Sequence, residues 1–241
     1  MKLQRLYSLT RQAIEKYDLI QDGDHIAVGV SGGKDSLTLL YALQGLSKFY
    51  PKKFTVSAIT VDLGYDNFDL KPVSDLCERF SVPFTVIPTQ IGKILFEARQ
   101  ESNPCALCAK MRRGALSEAA VSLGCNKIAY AHHMDDLIET MVMSLMYEGR
   151  FYAFPPYTYF EDKDLAVIRP MMLVSEAEVI GFQKRYQLPV CKNPCPADGH
   201  TRREYVKQLI RQLERENPGM KKRLFHSILT GNISDWPQAL R

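Results

Sequence analysis

Only six cysteines, five histidines and a single tryptophan stand among the 241 residues. That is too little thiol for a disulfide-stapled fold and too little imidazole for a histidine-rich metal tract. Long apolar runs are missing too. The longest stretches without a charge, Ser36–Ser47 and Phe80–Gly92, fall well short of the roughly 20 residues a bilayer requires. The N-terminus, Met1-Lys2-Leu3-Gln4-Arg5, has no apolar core or small-residue cleavage site behind it. Repeats and low-complexity segments are absent. These gaps exclude collagen-like, mucin-like, membrane-spanning and disulfide-knot classes, argue against export, and predict a cytoplasmic protein with reduced thiols.

What remains is an ordinary globular composition, 46% hydrophobic and 24% charged, with a net charge of +4 placed unevenly. From Arg202 to Arg223 there are eight basic residues against Glu204, Glu214 and Glu216, so the rest of the chain is slightly acidic. A basic patch on a neutral body suits a polyanion, and a solvated helix face is the competing reading.

Apolar runs alternate with helical patterns. Strands are expected at His25–Val30, Phe54–Val61, Phe84–Ile87, Lys127–Ala131 and Val167–Pro170, with helices between them. This predicts an α/β fold, a mostly parallel five-stranded sheet with helices on both faces and helical extensions at either end. The expected organisation is an N-terminal helix over 1–20, the α/β domain over 21–188, and a basic helical extension over 189–241. Such sheets bind ligands beyond the carboxyl ends of their strands. Ser31–Ser36, Asp62-Leu63-Gly64 and His132–Asp136 all fall there.

Ser31-Gly32-Gly33-Lys34-Asp35-Ser36 joins a strand to a helix. Glycines let consecutive backbone N–H groups face one anion, and the helix end and hydroxyls reinforce them. The pattern is not a Walker A loop, because Asp35 follows the lysine where Ser or Thr would stand. A carboxylate there suits Mg²⁺ beside a pyrophosphate.

The hexapeptide resembles the pyrophosphatase loop of the ATP-pyrophosphatases, which adenylate a carbonyl and release pyrophosphate. With Val61-Asp62-Leu63-Gly64-Tyr65, Cys105-Ala106-Leu107-Cys108, Arg112-Arg113-Gly114 and Ala131-His132-His133-Met134-Asp135-Asp136, the chain is similar to the tRNA 2-thiolation branch, nearest the 2-thiocytidine synthetases. The resemblance implies ATP and Mg²⁺ on Ser31, Gly32, Gly33, Lys34, Asp35 and Ser36, with adenine near Val61, Asp62 and Leu63. His132 and Asp136 would face that loop. Asp135 matches the family's catalytic acidic position, and Arg112 stands where related thiolases carry a basic catalytic residue.

The same resemblance implies a [4Fe-4S] cluster on Cys105, Cys108 and Cys195, with one iron open to sulfur. It also implies tRNA as substrate, a cysteine desulfurase or inorganic sulfide as donor, and a homodimer. The family usually has Cys-x-x-Cys-Gly where this chain has Cys191-x-x-x-Cys195-Pro196, which leaves Cys191 without an assigned role. Four thiolates including Cys191 could instead hold structural zinc. A PP-loop enzyme with another acceptor, or a zinc-stabilised nucleotide or RNA-binding module, are the rival functions; cytidine and uridine both remain open as the target base.

Three smaller expectations complete the sequence reading. Cys77 and Cys125, in apolar surroundings, should be buried small hydrophobes. Arg112 and Arg113, with the basic C-terminal helices that carry Arg203 and Lys207, would hold tRNA phosphates. Phe151–Phe160, with six aromatics in ten residues, reads as a packed hairpin or a subunit contact, or else as a platform for unstacked bases.

Overall fold

The computed structural model describes residues 1–65, 68–95, 104–191, 195 and 201–231. Six strands form one sheet: β1 Asp24–Gly29, β2 Phe54–Asp62, β3 Phe84–Pro88, β4 Lys127–Ala129, β5 Tyr157–Phe160 and β6 Leu165–Ile168. Their spatial order is β3-β2-β1-β4-β6-β5. The first five in that order are mutually parallel, with Ile26 opposite Val56 and Lys127, and Lys127 opposite Ala166. The sheet thus has one strand more than the five expected. The addition is β5, which pairs antiparallel with β6 (Tyr157 opposite Ile168) and carries part of the aromatic segment as an edge hairpin.

Chain order runs outward from β1 in one direction through β2 and β3, and in the other through β4 and β6. The reversal opens a crevice between the carboxyl ends of β1 and β4.

The helices are α1 Leu3–Lys16, α2 Lys34–Leu46, α3 Lys71–Phe80, the single turn α4 Ile91–Lys93, α5 Pro104–Ser122, α6 Met134–Glu148, α7 Glu176–Tyr186, α8 Arg202–Glu216 and α9 Met220–Thr230. They cover the two faces unequally. Alternation along β1 sends Ile26 and Val28 into a large core with Leu6, Leu37, Leu40, Ile138 and Phe182, from α1, α2, α6 and α7. Ala27 points the other way, into a small cluster with Ile59, Leu116, Ala120 and Ile128, where α5 is the covering helix. Cys77 and Cys125 are buried in the two cores, one in each, with their thiols pushed up to about 11 by burial. The thin face is where room is left for a ligand.

Close packing of α5 depends on Gly29: a Cβ there would stand 3.0 Å from Leu116 Cδ2. Among the described residues no helix is long and apolar enough to cross a membrane.

Candidate active site

A cleft of about 680 Å³ opens on the α5 face. Gly29, Val30, Ile59, Val61 and Val167 supply its floor from the sheet, while α5 and the β5 hairpin form opposite walls. Ser31, Asp35 and Ser36 close one end.

The loop at that end is tied by its own hydroxyls. Ser36 Oγ donates to Gly33 O at 3.0 Å and accepts from Ser31 N–H at 3.2 Å. Gly32 adopts φ +78°, the left-handed region in which a side chain is strained. Lys34 Nζ lies 3.0 Å from Asp35 Oδ2 and 3.4 Å from Glu176 Oε1. Asp35 Oδ1 is buried without a hydrogen-bond partner. An orphaned carboxylate oxygen beside a phosphate loop is chemically fit for a hard divalent cation such as Mg²⁺.

The adjoining α6 begins with a capping box. His133 Nδ1 accepts from Asp136 N–H at 3.3 Å, and Asp136 Oδ2 accepts from His133 N–H at 2.9 Å. With Nδ1 accepting, the ring proton sits on Nε2, which points toward Asp35 Oδ1 at 3.6 Å. Asp136 and His132 line the cleft. His132 lies against Phe154 with ring centroids 4.4 Å apart, and burial pulls it down to about 3, so it is neutral at physiological pH.

Asp135 points elsewhere. It is buried, accepts from Lys221 Nζ and from Glu176 N–H, both at 2.7 Å, and is outside the cleft lining. Although burial works to raise it, those two donors hold its carboxyl below the ordinary range. Of the adenine-side residues, Val61 lines the floor, whereas Asp62 caps the next turn by accepting Gly64 N–H at 2.9 Å. Leu63 also lies outside the lining; its carbonyl accepts Gly92 N–H at 2.8 Å.

Three thiols lie near enough to Tyr65 to act on its phenol. Cys105 and Cys108 stand on the first turns of α5, and Cys195 Sγ is 4.0 Å from the Tyr65 hydroxyl. Burial and the thiols of Cys195, Cys108 and Cys105 push the Tyr65 phenol well above its usual range. Burial likewise raises the Cys108 thiol, while the nearby Arg112 guanidinium works against that. Among the described residues no three Cys, His, Asp or Glu side chains are gathered tightly enough to clasp a single ion. Thiolates are the soft donors that an iron–sulfur cluster takes, as zinc does.

Cys191 is apart from them. Its N–H donates to Gly32 O at 3.0 Å, and its Cβ lies 3.0 Å from where a Cβ on Gly32 would fall. It buttresses the phosphate loop, which removes the fourth thiolate of the zinc reading. The residues between Cys191 and Cys195, and Pro196, lie outside the described residues.

Half of the basic C-terminal window, four of its eight cations, is paired within the molecule. Glu176, held down to about 2 despite its burial, receives Lys207 Nζ at 2.5 Å and Arg211 at 3.5 Å. Arg203 is 3.2 Å from Glu139, and Lys221 takes Asp135. The aromatic segment does form a hairpin, but Tyr152 and Phe160 also line the cleft. Glu176, Glu139, Tyr65, Tyr130 and Arg169 are site or supporting residues that sequence reasoning passed over. Ser175 and Glu178, a capping box opening α7, were the one local signal near Glu176.

A phosphate-binding loop at the switch point of a parallel sheet, with an acidic partner across the crevice, defines a nucleotide-dependent α/β enzyme. Comparison with known proteins agrees, for residues 4–214 match the family model described as PP-loop domain. The tRNA-cytidine(32) 2-sulfurtransferase of Geobacter sulfurreducens is 35% identical over 97% of this chain and 91% of its own length. That of Geotalea daltonii is 38% identical over 93% and 90%. Among solved structures, the U34-tRNA thiolase NcsA of Methanococcus maripaludis, with its [4Fe-4S] cluster, superposes with a TM-score of 0.72 at 24% identity, covering 91% of this chain and 76% of that one. The NH3-dependent NAD synthetase of Campylobacter jejuni shares the fold more distantly, at a TM-score of 0.52 and 17% identity, covering 96% and 95%. The chain belongs to the PP-loop enzymes and, within them, to the tRNA-cytidine 2-sulfurtransferase family.

Proposed function

We propose that the protein uses ATP to replace the C2 oxygen of a tRNA pyrimidine with sulfur, the cytidine named in its relatives being the favoured target. The observation that carries this reading is Arg112. One guanidinium lines the nucleotide cleft and lies close enough to the thiol of Cys108 to work against its raised pKa. Adenylation and sulfur delivery must act on the same carbon, and Arg112 stands where the two halves meet.

In this reading the phosphates of ATP rest on Ser31–Ser36 and Lys34, leaving Glu176 to Lys207 and Arg211. Asp35 would hold Mg²⁺, which neutralises the departing pyrophosphate, with Asp136 beside it and His133 positioning both carboxylates. Adenine rests over Val61. The C2 oxygen attacks the α-phosphate, pyrophosphate leaves, and C2 becomes an adenylate whose leaving group is AMP rather than oxide. Neutral His132, packed on Phe154, and the hairpin keep water from hydrolysing that adenylate. Cys105, Cys108 and Cys195 would hold a [4Fe-4S] cluster, whose iron without a protein ligand supplies a binding place for hydrosulfide. Asp135 supports the site through Glu176 and Lys221 rather than touching substrate. A cysteine desulfurase or inorganic sulfide as donor, and a homodimer, complete the proposal.

The test is anaerobic reconstitution followed by nucleoside mass analysis of tRNA incubated with ATP and sulfide. A brown protein that forms 2-thiocytidine, and a colourless Cys105→Ala protein that forms none yet still binds tRNA, is the expected result. A colourless wild type with stoichiometric zinc, or thiolation unaffected by Cys105→Ala, would overturn it.

A further inference from the structure

The end of the cleft opposite the phosphate loop is positively charged and unpaired. Arg169 follows β6 and is turned inward under the hairpin. Its Nη1 donates to Pro155 O at 2.6 Å and to Thr158 Oγ1 at 3.4 Å, and its Cζ lies 5.1 Å from the Phe154 ring centroid. Its Nε is buried with no partner at all. Arg113 comes across from α5 into the same cleft, close enough for the two guanidiniums to repel each other. Burial pulls Arg169 down to about 10, with the Tyr152 and Tyr130 phenols working against it and Arg113 with it, and both cations act on the Tyr130 phenol. Among the described residues neither arginine has a carboxylate partner. The two acids of the cleft are engaged at its other end, Asp35 with Lys34 and Asp136 with His133 and, at 3.9 Å, Arg203. Arg113 is exposed at the cleft mouth, but holding the half-buried Arg169 guanidinium, with one nitrogen unpartnered, beside a second cation is costly unless an anion joins them.

We propose that Arg113 and Arg169 form a subsite for an RNA phosphodiester flanking the reacting pyrimidine. The inference rests on the thiolation reading and names how that substrate is held. Topology separates this anion from those of ATP. Val61 lies on β2, on one flank of β1, whereas Arg169 leaves β6, two strands away on the other flank, roughly 10 Å from the loop-bearing strand. A nucleotide with phosphates on Ser31–Ser36 and base over Val61 extends away from Arg169. Tyr130, Tyr152 and Phe160 line the cleft as well, surfaces on which an extruded base can stack. A planar guanidinium fork fixed on Phe154 and Pro155 O matches phosphate geometry, so it sets the register of the base as well as its affinity.

The test is a double-mutant cycle between protein and RNA. An anticodon stem-loop containing the target cytidine is made with a neutral methylphosphonate on its 5′ or 3′ side, and its binding to holoenzyme is measured for wild type and Arg169→Met. One of the two neutral linkages should weaken wild-type binding by about tenfold or more, as expected for a lost charge-assisted contact. The same linkage should cost Arg169→Met nothing further, and that variant should show a salt slope shallower by about one. Affinity for a non-hydrolysable ATP analogue should stay unchanged. Arg113→Met carries the same cycle if Arg169→Met does not fold. Indifference of the wild type to both linkages, additive penalties, or an equal loss of ATP-analogue affinity would each overturn the subsite while leaving the thiolation reading intact. A wild-type holoenzyme that binds no stem-loop sinks both.

Discussion

The two sides of this molecule treat buried charge in opposite ways. Beneath α6–α9, Asp135, Glu139 and Glu176 are each met by cations from the C-terminal helices. On the α5 side, Asp35 Oδ1, His132 Nδ1 and Arg169 Nε are buried without partners, and all three residues line one cleft. Thr10 Oγ1 is the single other such atom among the described residues. Folding tolerates unsatisfied polar atoms when something else satisfies them in the working state. The paired side therefore serves stability and the unpaired side serves chemistry, and substitutions should divide along that line.

The largest effect expected is at Asp35. Asp35→Asn keeps the shape but removes the charge that, in the proposed reading, holds Mg²⁺ against the pyrophosphate, so thiolation should fall by about a hundredfold or more. Because Asp35 Oδ1 has no hydrogen-bond partner and its pair with Lys34 is partly exposed, the melting temperature should change little. Single-turnover thiolation and a thermal melt on the same sample check both halves. A large drop in melting temperature with modest loss of rate would move Asp35 to the structural side.

Glu176→Gln should do the reverse. It leaves Lys207 and Arg211 facing a neutral amide in a nearly buried place, and breaking such a network costs about 3 kcal/mol. The sign with pH follows from the lowered carboxyl. Its contribution is fully present above the unfolded value near 4.5 and is lost as pH falls toward the folded value of about 2. Wild-type stability, followed by denaturant midpoint, should thus decline across that acid window, and Glu176→Gln should flatten the decline. A variant with an unchanged midpoint would break the comparison at its strongest point.

How much of this contrast could be read from sequence depends on how local each cause is. The phosphate loop, the alternating elements of the parallel sheet and the Cys105–Cys108 pair are short-range patterns, and each was visible. β5 was not, since Tyr157–Phe160 is four residues long, follows Pro155-Pro156 and pairs only at the sheet edge. The pairing of charges was invisible for a different reason. Asp135 finds Lys221 across 86 residues, and Arg203 finds Glu139 across 64. A count of Lys and Arg over 202–223 measures charge but not what has already neutralised it. Arg169 shows the converse: one arginine at a strand end attracts no notice until a hairpin covers it with no carboxylate partner among the described residues.

That distinction yields the smallest and most discriminating effect. If charge alone governed RNA binding, Lys207→Met and Arg215→Met would weaken it alike. Lys207 is committed to Glu176, whereas Arg215 is exposed and, among the described residues, forms no ion pair. Only a cation free to meet phosphate releases counterions on binding, so Arg215→Met should make the salt slope of tRNA binding shallower by about one. Lys207→Met should leave the slope as it is and lower stability instead, by about 1 kcal/mol, more than an exposed pair and less than a fully buried one. Fluorescence titration of both variants over a range of salt, beside their denaturant midpoints, separates the two roles. A slope that flattens equally for Lys207→Met would mean that its pairing with Glu176 opens to admit RNA, and the C-terminal helices would then belong to the binding surface after all.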